Sequence, residues 1–125
     1  MTPSSIYARP RDAALFLFLA WLIPPLILLQ LLLVGLALFD CLGRGPHQAL
    51  GGAIVVPILV LLVLSQRVSL RQHRRKVVQI LGLYGLQVAL AVGGEAISAG
   101  PIQALHAANA GLLLLAGTSL ARTTG

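Results

Sequence analysis

Residues 13–39 read AALFLFLAWLIPPLILLQLLLVGLALF, 27 residues without one ionisable side chain. A signal-peptide core is only about 7–15 residues long, so this run is expected to stay in the chain as a first membrane span. A helix needs about 20 apolar residues to cross the hydrocarbon of a bilayer. Three more such stretches follow, at 46–65, 77–97 and 101–121. In lipid, a run of this kind satisfies its own backbone hydrogen bonds only as a helix. The expected fold class is all-α: one four-helix transmembrane bundle over residues 13–122, flanked by tails at 1–12 and 123–125. Pro46 and Pro101 suit first-turn positions, where no amide hydrogen is required. Pro24-Pro25 removes two backbone bonds and predicts a kink or break, with an interfacial stretch before it and Trp21 near the boundary.

Composition points the same way. Of 125 residues, 58% are hydrophobic and 10% charged, too little polar surface to cover a water-soluble domain of this size. The net charge of +6 lies in short clusters between apolar runs, so no nucleic-acid partner is expected. The one cysteine, Cys41, excludes an internal disulfide, and the preceding Phe39-Asp40 is a poor lipoprotein cleavage site. No paired carboxylates, no nucleophile beside a base and no phosphate-binding glycine loop point to soluble-enzyme chemistry.

Eight of the nine basic residues fall on one side of such a bundle: Arg9, Arg11, Arg67, Arg71, Arg74, Arg75, Lys76 and Arg122. Arg44 alone falls on the other, with Asp40 and Glu95. The positive-inside rule then makes both termini cytoplasmic. His73, within RQHRRK, is expected to be a solvated side chain at the cytoplasmic interface, in a loop able to attract anionic headgroups.

The two halves of the chain resemble each other. LQLLLVGLALFD from Leu29 and LQVALAVGGEAI from Leu86 each lead to a short loop, a Gly-Pro pair and a histidine. Gln30 precedes His47 by 17 residues, and Gln87 precedes His106 by 19. Two parallel αα repeats would be related by an axis along the membrane normal. That axis puts His47 and His106 at similar depth on diagonal helices, facing inward across a diagonal of roughly 14 Å for helices packed about 8–10 Å apart. Their offsets from the prolines differ by four residues, a stagger of about 6 Å that the second helix must absorb.

Two inward imidazoles at that separation suit one flat metal complex, and the expected cofactor is haem b. Neutral imidazole ligates haem iron without burying a charge. Gly51 and Ala110 lie four residues after each histidine, on the ligand's face, as small neighbours for a macrocycle. Asn109 is placed to hydrogen-bond a ligand ring or a propionate, and Arg44 to pair with propionates at the outer surface. Gln30 and Gln87 read as interhelical glue rather than ligands.

LQLLLVGLALFD…HQALGG and LGLYGLQVALAVGG…LHAANAGLLLLAG resemble a family of small uncharacterised four-helix membrane proteins of actinobacteria and related bacteria. From Leu29 to Leu120 the pattern also resembles one four-helix half of haem A synthase. That resemblance implies haem b held by histidines on the second and fourth helices, at the places of His47 and His106, in a bacterial plasma membrane. The catalytic glutamate of the synthase's first helix has no counterpart; Asp40 is the nearest acid. The resemblance therefore leaves electron transfer or haem holding, and the expected partners are the lipid bilayer and a second copy of the chain or a larger membrane complex. Two other classes compete: an accessory subunit whose histidines are incidental, and a small proton-coupled exporter, which would need an acid deeper in the membrane than Asp12, Asp40 or Glu95.

Overall fold

The computed structural model describes residues 9–97 and 100–125. Residues 1–8 of the expected N-terminal tail, and positions 98–99 between the last two spans, lie outside the described residues. Among the described residues there are helices and no strands: α1 (Pro10–Leu38), α2 (Gly45–Ala53), α3 (Val55–Leu64), a 3-10 helix (Val68–His73), α4 (Arg74–Ala96) and α5 (Gly100–Thr124). The α2–α3 pair forms one span, so four helices are long and apolar enough to cross a bilayer, as in a multi-pass membrane protein. α1 packs against α3 and α5, and α4 against the same two, which leaves the second and fourth spans diagonal.

α1 runs unbroken through Pro24-Pro25. The prolines deprive the Ala20 and Trp21 carbonyls of their helical donors, but in lipid the neighbouring residues have no alternative to helix. α5 packs against this point: a Cβ on Gly117 would lie 2.9 Å from Ile23 Cγ2 and 3.7 Å from Pro24 Cγ. At 29 residues, α1 is about 43 Å long, more than the roughly 30 Å of hydrocarbon. Its first turns overshoot into a charged layer, where Asp12 lies 3.7 Å from Arg67. Trp21 is level with the residue that follows α5, since a Cβ on Gly125 would sit 3.8 Å from its Nε1.

The break absent at Pro24 appears in the second span instead, at Ile54. Pro57 lacks the N–H that the Ala53 carbonyl would accept, and its ring crowds that carbonyl. α1 ends at Phe39, whose N–H bonds the Gly35 carbonyl. The next residue, Asp40, adopts φ 55°, the left-handed conformation that closes many helices and that Asp tolerates better than most side chains. Asp40 is thus an exposed helix terminator.

Apolar packing fills the basic half of the bundle, where Phe16, Ile23, Ile58, Leu61, Ile80 and Leu120 are fully buried. His73 belongs to this core, contrary to the expectation of a solvated side chain. It is 8% exposed, with its ring centroid 5.5 Å from that of Phe16. The 3-10 helix turns it inward while Arg71, Arg74 and Arg75 face out.

Candidate functional site

The other half of the bundle is held by polar side chains, with each span contributing: Gln30 from α1, His47 from α2, Gln87 from α4, and His106 with Asn109 from α5. The imidazoles come together, their ring centroids 6.4 Å apart and their planes at 74°. The differing offsets from Pro46 and Pro101 therefore do not separate the rings. Each is half-buried.

Both rings are anchored alike. His47 Nδ1 lies 3.2 Å from the Gln30 carbonyl oxygen, and His106 Nδ1 lies 3.0 Å from the Gln87 carbonyl oxygen. A carbonyl only accepts, so Nδ1 carries the proton in each ring and Nε2 keeps the lone pair. Each carbonyl already serves its own helix and uses its second lone pair here. Such an Nδ1–H···O=C bond is the usual way of fixing tautomer and orientation in a metal-binding histidine.

Beyond this shared anchor the halves differ. The Gln30 side chain donates from Nε2 to the His47 carbonyl at 3.0 Å, and its Oε1 is buried without a partner. The Gln87 side chain instead turns its Nε2 to His106 Nε2, at 3.2 Å. Asn109 holds it there, donating from Nδ2 to Gln87 Oε1 at 2.7 Å and to the Leu83 carbonyl at 2.9 Å. Asn109 is 3% exposed, and its Oδ1 is a second buried acceptor without a partner. The position three after His47 is Leu50, which makes no such link. His47 Nε2 has no hydrogen-bond partner among the described residues, whereas His106 Nε2 has one.

A Cβ on Gly51 would lie 3.0 Å from Gln30 Nε2, the tip of that side chain. The Gly51 carbonyl accepts from the Tyr84 hydroxyl at 2.9 Å, tying α4 to α2. Ala110 is buried, while Gly52 and Gly111 have open space where a Cβ would project. Arg44 lies outside this layer, 3.9 Å from Glu95 with both side chains largely exposed. Sequence spacing located His47, His106, Gln30 and Gln87. It missed Tyr84, and it placed Asn109 against a ligand rather than against Gln87; the i+3 spacing from His106 and the two-residue difference in Gln–His step were the available signals.

Among the described residues, no three His, Cys, Asp or Glu side chains group as a metal site. Neither the curated proteins nor the solved structures provide a match to the chain. A family model described as a family of unknown function, DUF6220, matches residues 30–96, more than half of the sequence, and the chain belongs to that family.

Proposed function

We propose that this protein binds haem b within the membrane through His47 and His106, for electron transfer or haem holding. The observation that carries the proposal is the pair of imidazoles from diagonal helices, 6.4 Å between centroids, each with Nδ1 spent on a backbone carbonyl. Two imidazole nitrogens each about 2 Å from a shared metal would bring their ring centroids to roughly 6 Å apart. The ring spacing fits that requirement, with His106 Nε2 engaged by Gln87. With only two nitrogen donors, the site suits a metal whose other ligands come from a macrocycle rather than zinc, which takes four protein ligands in structural sites.

Bound haem would supply one-electron chemistry, its potential set by axial ligands and burial. This chain's residues then have distinct tasks. Gln30 and Gln87 orient the rings through their carbonyls, and Gln87 must release His106 Nε2 before that nitrogen can ligate. The unpartnered Gln30 Oε1 and Asn109 Oδ1 are acceptors for a protonated propionate or a water. Gly51, Gly52, Ala110 and Gly111 keep bulk away from the rings, and Arg44 is the cation available to propionates at that end. The distribution of basic residues supports an orientation with both termini cytoplasmic and the histidines near the outer face, in a bacterial plasma membrane. The Gln–Gly-Pro–His recurrence and the matching Nδ1 anchors support two parallel αα repeats, as in the half of haem A synthase that the sequence resembles.

The second candidate is an accessory subunit of a larger membrane complex, favoured by the Gln87–His106–Asn109 links, which already bind the helices together. The visible spectrum of protein purified from haem-replete cells separates the two. A haem b spectrum is expected, lost on His47→Ala and reduced or lost on His106→Ala. A colourless protein that takes up no added hemin would leave only the accessory role.

A further inference from the structure

At the basic end of the bundle, we infer that α5 carries a binding site for one anionic phospholipid, its phosphate on Arg122 and Ser119 and its acyl chain along Leu115. Leu115, Thr118, Ser119, Arg122 and Thr123 line a shallow hollow of about 420 Å³. Their spacing of three and four residues puts them on one helix face. Leu115, 69% exposed, lies about 10 Å along the axis from Arg122. The hollow is apolar where it reaches toward the membrane centre and cationic at its rim, the polarity of a phospholipid.

The hydrogen bonds around the hollow leave few donors free for a ligand. Lys76 directs its ammonium to the Ser119 carbonyl, Ser119 Oγ and Thr123 Oγ1, at 3.2, 3.0 and 3.3 Å. Those three acceptors occupy its three N–H bonds, so its charge is held beside the hollow while its donors are spent. Thr118 donates to the Leu114 carbonyl, and Thr123 to the carbonyls of Ser119 and Leu120. The Ser119 hydroxyl accepts from Lys76, and its own proton has no acceptor among the described residues. The Arg122 guanidinium likewise has no partner among them. One hydroxyl and one guanidinium free to donate, beside a fixed ammonium and with no carboxylate in the lining, make a phosphodiester site. Two cations favour a lipid of net negative charge over a zwitterion.

This site is at the opposite end of the bundle from the histidines and does not depend on haem. Its test is native mass spectrometry of the full chain released from vesicles of equal phosphatidylglycerol and phosphatidylcholine, reading the ratio of retained lipids. The wild type should retain phosphatidylglycerol preferentially. Arg122→Gln should lower the preference by more than about tenfold, because it removes a charge-assisted hydrogen bond to the phosphate in addition to the roughly fivefold worth of one basic residue at an anionic surface, and Ser119→Ala should lower it less. Arg75→Gln removes the same charge from the same end outside the hollow and should lower the ratio by no more than about fivefold, the general worth of one basic residue at an anionic surface. No preference in the wild type, a preference that survives Arg122→Gln, or an equal loss in Arg75→Gln would each overturn the inference. Melting curves of the variants confirm that folding is retained.

Discussion

Replacing Gly117 with alanine tests the packing that keeps α1 helical through its two prolines. The new methyl would sit 2.9 Å from Ile23 Cγ2 and 3.7 Å from both Ile23 Cβ and Pro24 Cγ. Carbon atoms in contact prefer about 3.5–4.0 Å, so the overlap is more than half an ångström. Ile23 is fully buried, branched at Cβ and restricted to few rotamers, and the adjacent proline stiffens the backbone. Neither neighbour yields cheaply. Over-packing of this kind costs about 1–3 kcal/mol, while glycine to alanine within a helix returns up to about 1 kcal/mol. Gly85→Ala, at an exposed position with open space around it, brings the helical gain without the clash. The difference between the two variants therefore isolates packing, and should be about 1–3 kcal/mol. The assay is unfolding in mixed micelles by rising SDS fraction, followed by far-ultraviolet circular dichroism. Ile23→Leu moves the branch off Cβ and should recover part of the loss in the double variant, a positive coupling of the pair. Equal midpoints for Gly117→Ala and Gly85→Ala would refute the close approach of α5 to α1.

Asn109→Leu installs the residue type found three positions after His47. It removes two interhelical bonds, leaves Gln87 Oε1 unpaired, and should destabilise the protein by about 1–3 kcal/mol in the same unfolding assay. Tyr84→Phe deletes the hydroxyl bond to the Gly51 carbonyl and should cost roughly 0.5–1.5 kcal/mol, the range for single bonds between membrane helices. His73 lies in the segment connecting the second and third spans, outside the apolar part of α4. Burial first, and the charge of Lys76 second, hold its pKa below the usual histidine value. The unfolded chain therefore binds a proton at higher pH than the folded one, so this contribution to stability is complete above the ordinary histidine pKa and declines as pH falls through it toward the lowered value. His73→Gln should flatten the fall in melting temperature between neutral and mildly acidic pH; an unchanged slope would place the effect elsewhere.

The four-helix architecture was legible because lipid leaves the backbone so few choices. A charge-free run such as 13–39 has one way to satisfy its amides, and the basic clusters mark where the spans end. Local breaks were less legible, since proline's effect depends on what packs beside it. Pro24-Pro25 is absorbed where Gly117 lets α5 close on α1, whereas Pro57, a single proline in an ordinary apolar run, interrupts the second span at Ile54. His73 shows the same limit: a string of basic neighbours reads as solvated, but the 3-10 helix presents one side chain in that string to Phe16. At the polar layer, the Gln–His recurrence was visible as polar residues in apolar sequence. The role of Asn109 was not, because its partner Gln87 lies 22 positions away on another helix and only the packed bundle brings them together.

Low-temperature electron paramagnetic resonance of the oxidised, haem-loaded protein interrogates most directly whether two imidazoles clasp one iron. Ligation by both rings predicts a low-spin ferric signal of the bis-imidazole type, converted to high spin when either His47 or His106 becomes alanine. A high-spin signal in the wild type, or a low-spin signal unchanged in both variants, would contradict the assignment of these histidines as the axial pair.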